Sequence, residues 1–373
     1  MQGLFIELLQ VMLGTRDSLS RVPSSIEWEY LLAEAQRQAI LGIMTSGLER
    51  LPDDQRPPKA ILLNWIGACQ QIEVQNARNT KSCHRICKQL EQDGYIACVL
   101  KGQSNYRYYP SDMKNRRSCG DVDVWVVPGE SCKNPIRKVI EYVQSSFNMN
   151  RLCWLHTSHV EKSGVPVEIH LRPSFMSEPC KNKRFQKYFR SIEDCIEYAD
   201  LDGESIPVMK VDVDIIYQMN HIYRHLIDEG VGLRQVIDYF FLLIAWNKKH
   251  TNSKDDTMRI VSWLGMKKFA GALMYVLHKV CGMRDEMLLC PASDKDGEFL
   301  MNEIMLSGNF GHNDPRMAAL PSAGGYYNSR VSQASRRFKR NMRFLTSYPG
   351  EVIWEPIVRV EHFVWKKLKL WRF

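Results

Sequence analysis

Between Tyr95 and Val127 the chain reads as two apolar strands joined by a polar, basic segment, and no other stretch restricts the fold as much. Tyr95-Ile96-Ala97-Cys98-Val99-Leu100 is a short buried strand that runs directly into Lys101-Gly102-Gln103-Ser104. The basic segment ends at Arg116 and Arg117, and the chain then enters Asp121-Val122-Asp123-Val124-Trp125-Val126-Val127. Side chains alternate along a strand, so Asp121 and Asp123 point to one face. Two like charges held that close repel unless a cation sits between them. A glycine at a strand end lets the backbone approach a ligand, and a lysine beside it suits a phosphate. Together these residues read as a metal-nucleotide site.

A third carboxylate stands where such a site needs one. Val165-Pro166-Val167-Glu168-Ile169-His170-Leu171 alternates apolar and polar, which puts Glu168 and His170 on one strand face. Thr157 to Glu161 can pair with it across a turn at Lys162-Ser163-Gly164. Three carboxylates from adjacent strands suit two magnesium ions, which prefer oxygen ligands. Two such ions about 3.5–4 Å apart activate an attacking oxygen and stabilise the leaving one in phosphoryl transfer.

The same residues carry a family resemblance. Leu100-Lys101-Gly102, Tyr109-Pro110, Arg117, Asp121-Val122-Asp123 and Val167-Glu168-Ile169-His170 resemble the bacterial uncharacterised nucleotidyltransferase family of the polymerase β-type superfamily. His225, Leu233-Arg234 and Asp238 are similar to a later pattern of that family, and the resemblance covers roughly residues 25 to 280. It implies an α+β fold, a small mixed β-sheet nucleotidyltransferase core flanked by N- and C-terminal helical regions. It implies two-metal transfer of a nucleoside monophosphate from a nucleoside triphosphate to an acceptor hydroxyl. Asp121, Asp123 and Glu168 would then be the catalytic carboxylates and metal ligands. Lys101, Gly102, Ser104 and Arg117 would lie near the triphosphate. Gln103 separates Gly102 from Ser104, where the wider superfamily shows a Gly-Ser or Gly-Gly pair. That departure keeps a second class open, an inactive module that retains the nucleotide pocket for sensing or assembly.

Other suggestive patterns have plainer readings. Asp212-Val213-Asp214 precedes the apolar run Ile215-Ile216-Tyr217, so helix capping accounts for it. His221 and His225 have zinc-like spacing, but Ile222 stands where a zinc protease carries glutamate. Packing or hydrogen bonding beside the nucleotide suits them better. Cys83 and Cys87 lie one helical turn apart with no second pair at zinc-finger spacing. The 11 cysteines are scattered and odd in number, which suits free thiols in a reducing compartment rather than a disulfide framework.

The pattern along the chain divides it at 93, 200 and 310. Residues 1–93 read as helical, 94–200 as the strand-bearing core with one helix near 135–145, and 201–310 as helical again. Ser24-Ser25-Ile26-Glu27 carries a cap signature, with Ile26, Tyr30, Leu31 and Ala35 on a stripe. Pro57-Pro58 opens a long helix that Asp93-Gly94 closes. No apolar stretch reaches the ~18 residues of a membrane span, and the amino terminus lacks a basic leader. The expected compartment is the cytoplasm.

Residues 311–373 form a basic, aromatic-containing tail. From Arg330 onward there are 11 Lys and Arg against three Asp and Glu, a surplus equal to the +8 of the whole chain. Trp365, Trp371 and Phe373 interleave with the bases near the end. One reading is a solvated helix whose aromatics pack on the body. The others are attraction to an anionic membrane surface or to a polyanion.

Overall fold

The fold is described from a computed structural model for residues 1–161, 163–249, 253–311, 314–317 and 330–372. The chain opens with helices α1 (Gln2–Leu13), α2 (Ser25–Arg37), α3 (Leu41–Arg50) and α4 (Lys59–Gln92). Ser24 caps α2 in a capping box: its side chain accepts from the Glu27 N–H, and the Glu27 carboxylate accepts from the Ser24 N–H at 2.9 Å. The buried stripe of α2 runs through Trp28, Leu31 and Ala35, whereas Ile26 is exposed. Helix α4 stops at Asp93, and Gly94, with φ of 78°, turns the chain into the sheet.

Seven strands follow, interrupted by two helices. They are β1 (Tyr95–Val99), β2 (Val122–Pro128), α5 (Pro135–Ser146), β3 (Met149–Leu152), β4 (His156–Val160), β5 (Pro166–His170), α6 (Pro179–Tyr188), β6 (Ile196–Leu201) and β7 (Glu204–Met209). Helix α6 adds to the one helix expected here. Glu178 opens it, accepting from the N–H groups of Cys180 at 2.9 Å and Lys181 at 3.1 Å, with Pro179 in the first turn. The β6–β7 hairpin turns through Asp202 and Gly203 at positive φ, a mirror-type turn that suits this dipeptide. Strand structure therefore continues past residue 200, to Met209.

The sheet is mixed, in the order β3-β4-β5-β2-β1-β7-β6. Strands β1 and β2 are antiparallel, whereas β2 with β5 and β1 with β7 are parallel. Alternation assigns its two faces. Ala97, Val99, Val122, Val124, Val126, Val167 and Ile169 join a core with Ile86 and Leu90 of α4 and Val139, Ile140 and Val143 of α5. Cys98 and Trp125 point the other way, into a larger core built mostly by helices. Asp123, Glu168 and His170 share that second face.

The helical body comprises α7 (Val211–Asp228), α8 (Leu233–Lys249), α9 (Lys254–Trp263), α10 (Lys267–Lys279), α11 (Asp294–Ser307), α12 (Arg330–Phe344) and α13 (Pro349–Lys367). Asp212 and Asp214 sit in the first turn of α7 after the N-cap Lys210, so they do not cap it. Each instead serves a tertiary contact. Asp212 accepts from Trp246 Nε1 at 2.9 Å, and buried Asp214 accepts from the Tyr108 hydroxyl at 2.8 Å. No helix is long and apolar enough to cross a membrane among the described residues.

The basic end of the chain is two helices packed on the body. Arg340 is buried, Arg359 reaches Asp228 at 3.3 Å, and Trp371 lies against α5 with its carbonyl accepting from Asn134 at 3.3 Å. Trp365 packs partly buried against the same core. Phe373 and the side chains of Arg330 and Arg336 lie outside the described residues.

Candidate metal and nucleotide site

Strand register brings the three carboxylates together. Asp123 and Glu168 are direct neighbours across the parallel β2–β5 ladder, and Asp121 precedes β2 by one residue. Oxygens of Asp121, Asp123 and Glu168 lie within 4.8 Å of one another. Hard oxygen donors at that spacing fit magnesium. A second group overlaps the first: His156 stands opposite His170 across β4–β5, and both imidazoles come within 4.8 Å of Glu168. His156 was not among the sequence candidates, although pairing 157–161 with 165–171 sets the register that places it there.

Depth separates the two aspartates. Asp121 is partly exposed, with 39% of its side-chain surface open, whereas Asp123 is buried at 1%. The Lys101 ammonium is bonded to Asp123 and lies 3.9 Å from Asp121. His170 Nε2 meets Asp123 at 2.9 Å and Glu168 at 3.5 Å. Burial opposes the charge on Asp123, yet Lys101 and His170 outweigh it and hold this carboxyl far below the usual range. The Asp123 charge pushes the Asp121 carboxyl up. Burial likewise works against protonated His170, but its bonds to Asp123 and Glu168 raise it overall.

Gly102 follows β1 at φ of 66°, and a Cβ there would stand 2.7 Å from Cys119 Sγ. The turn therefore needs glycine for its backbone angle and for the close approach of the Cys119 loop. Gln103, Ser104 and Asn105 then bury themselves in a short 3-10 helix. The Ser104 hydroxyl is buried with no hydrogen-bond partner among the described residues, and it lines neither cavity beside the carboxylates. Gln103 donates to Cys119 Sγ at 3.3 Å.

Arg117 is placed beside the site but is already engaged. Its Nε donates to Asp238 at 2.7 Å, a second nitrogen donates to the other carboxylate oxygen, and the Tyr109 hydroxyl donates to Asp238 at 2.7 Å. Arg234, one turn earlier on α8, has no carboxylate partner among the described residues. It donates to the Ser118 carbonyl at 3.1 Å and lies under the Phe310 ring, with its Nε buried and unbonded. Burial, then the neighbouring Arg117, makes its proton easier to lose than usual. An anion would relieve both effects.

Two cavities meet at the carboxylates. One, of about 390 Å³, runs from Lys101, Asp121 and Asp123 to Gly102, Arg117 and Arg234. The other, of about 580 Å³, shares Lys101, Asp121, Asp123 and His221 and opens past Glu168 to Arg224, Arg359 and His362. His221 and His225 are buried in these walls, and burial holds both imidazoles toward the neutral form, His221 strongly. Nothing in the sequence signalled Arg359 or His362, which reach the cavity from α13, nearly 200 residues after Glu168 in the chain.

Residues 24–282 match the sequence model of one family, described as uncharacterised nucleotidyltransferase. No curated protein matches the chain. Among solved structures, an antigenic nucleotidyltransferase-like protein from Paracoccidioides brasiliensis is similar at 12% identity and a TM-score of 0.32. That match covers 45% of this chain and 77% of the other.

Proposed function

Because the chain belongs to the uncharacterised nucleotidyltransferase family, we propose that it moves a nucleoside monophosphate from a nucleoside triphosphate to an acceptor hydroxyl, releasing pyrophosphate. Family membership supports nucleotidyl transfer in general; the division of labour below is our reading. The observation that carries it is the position of Asp121 and Asp123 in the shared wall of two cavities, one suited to each substrate, with Glu168 beside them in the second. Asp121, Asp123 and Glu168 would hold magnesium, which when bound supplies positive charge to the attacking oxygen and to the leaving pyrophosphate. The cavity containing Gly102 and Arg234 suits the triphosphate, and the one past Glu168 suits the acceptor. Glu168, at the acceptor cavity, would orient the hydroxyl. The setting in which triphosphates and free thiols coexist is the cytoplasm, and all 11 cysteines are free.

Arg234 is the stronger candidate for neutralising phosphate charge, since Asp238 already meets the charge of Arg117. Replacing it with glutamine is expected to weaken triphosphate binding ~10- to 100-fold, the worth of a charge-assisted bond. Arg234→Lys should recover part of that loss, and Ser104→Ala should change binding little. Titration calorimetry with a non-hydrolysable triphosphate compares the three; equal affinity in all of them would remove Arg234 from the site.

Transfer itself is tested by incubating labelled triphosphates with a panel of sugar, protein and RNA acceptors and following pyrophosphate release. Glu168→Gln should bind triphosphate nearly normally, since Asp121 and Asp123 would still hold the ion, yet lose roughly 100-fold or more in transfer, because its main task falls in the chemical step. The rival reading, a module that binds nucleotide without turnover, draws support from Lys101, which already bonds Asp123. Tight binding with no transfer by wild type across the panel would favour it.

A further inference from the structure

Helix α13 is built inside out. Its inward face carries two acids beside the valines Val352 and Val358: Glu351 accepts from the Ser177 N–H at 2.7 Å and pairs with Lys181 at 3.3 Å, and Glu355 accepts from Asn341 at 3.0 Å. Its outward face is apolar. Ile353, Ile357, Val360 and Val364 recur at the spacing of one helical stripe and are 57%, 51%, 62% and 38% exposed. Trp354 and Phe363 widen that stripe on either side. A water-soluble helix puts these residue types the other way round, so the outward stripe has something other than water to face.

Charge narrows what that is. Lys366, Lys367, Lys369 and Arg372 crowd the end of the stripe, all exposed, and Glu361 is the one exposed acid on α13. The adjoining α12 exposes Phe338 at 66% and Met342 at 53%, with Arg337 and Lys339 also exposed. The whole positive surplus of the chain belongs to this region. A second copy would bring the two lysine rims together and repel itself. A nucleic acid would want bases at the centre of the contact and stacking rings, but the centre is aliphatic, and Trp365 and Trp371 are turned toward the body. An aliphatic centre with a lysine rim fits an anionic lipid bilayer, acyl chains against the stripe and headgroups against the ammonium groups.

We propose that the outward face of α13, from Ile353 to Arg372, docks the protein on an anionic membrane surface. The contact is peripheral, with the helix lying in the interface. It lies outside the residues matched to the family and is independent of nucleotide chemistry.

The test uses the full chain without nucleotide, sedimented with vesicles of pure phosphatidylcholine or of phosphatidylcholine with one-third phosphatidylglycerol. Binding is expected to the anionic vesicles alone and to weaken with salt. Ile357→Asp with Val360→Asp should abolish it; both positions are exposed, so the melting temperature should stay at the wild-type value. Each of Lys366→Gln, Lys367→Gln and Lys369→Gln should cost roughly fivefold in partitioning. Three outcomes overturn the proposal. They are no sedimentation with either vesicle, retention on a polyanion column that the aspartate pair leaves intact while vesicles are ignored, and a wild-type dimer in light scattering that the aspartate pair dissociates.

Discussion

Asp121→Asn is expected to abolish the strengthening of triphosphate binding by magnesium, ~10- to 100-fold in the wild type, while leaving the melting temperature unchanged. The carboxylate sits at the mouth of the cavities, partly exposed, and among the described residues the one cation paired with it is Lys101 at 3.9 Å. Losing its charge also removes repulsion with Asp123, so the fold has nothing to lose. Asp123→Asn should abolish the same coupling and lower the melting temperature as well. Its carboxylate is buried between Lys101 and His170, and removing the charge leaves an ammonium buried with half its compensation. Breaking a buried pair costs about 3–5 kcal/mol, with the lower end expected here because asparagine still accepts a bond and Asp121 remains near. Two solvent-facing aspartates would have given two silent substitutions, so the pair reports on depth as well as on chemistry. Calorimetric titration with and without magnesium, beside thermal melts, decides it. Equal magnesium dependence in wild type and both variants would sink the metal site.

The largest effect on stability is expected at Asp238. Asp238→Ala should cost about 3–5 kcal/mol in urea unfolding, because it strands the Arg117 guanidinium at 5% exposure and leaves the Tyr109 hydroxyl without its acceptor. Arg117→Met combined with Asp238→Leu should recover much of that loss, since two apolar side chains demand no compensation. A single variant within about 1 kcal/mol of wild type would mean that the pair is not the joint between the Arg117 loop and α8 that its geometry describes.

The strands around the site were legible because alternation is a local signal. Residues 95–100 are a uniformly apolar run, while 121–124 and 165–171 alternate strictly enough to assign a face, and the two aspartates and Glu168 follow from that face. Alternation gives direction and not depth, which is why Asp123 lies deeper than Asp121 without any mark in the sequence. The β6–β7 hairpin was equally local, carried by Asp202-Gly203, a turn signal just beyond the boundary drawn at residue 200. The resemblance put Arg117 near the triphosphate, and nothing local to it marks Asp238, which bonds it from another element 121 residues away. The end of the chain read as a tail because net charge says nothing about which side of a helix faces in. Only the packed structure shows glutamates inward and isoleucines outward on α13.

Lys101 gives the site a property of its own. Since its ammonium already sits on Asp123, the folded protein carries an internal counter-ion for that buried carboxylate. On the proposed metal-dependent reading, ion entry would be an exchange, in which one positive charge leaves the carboxylates as another arrives. The net affinity would measure only the difference between the two, so the ion alone would bind modestly. On that reading Lys101, which lines the same cavity as Gly102, would then be free to meet the incoming phosphates and would couple the two arrivals through a single side chain.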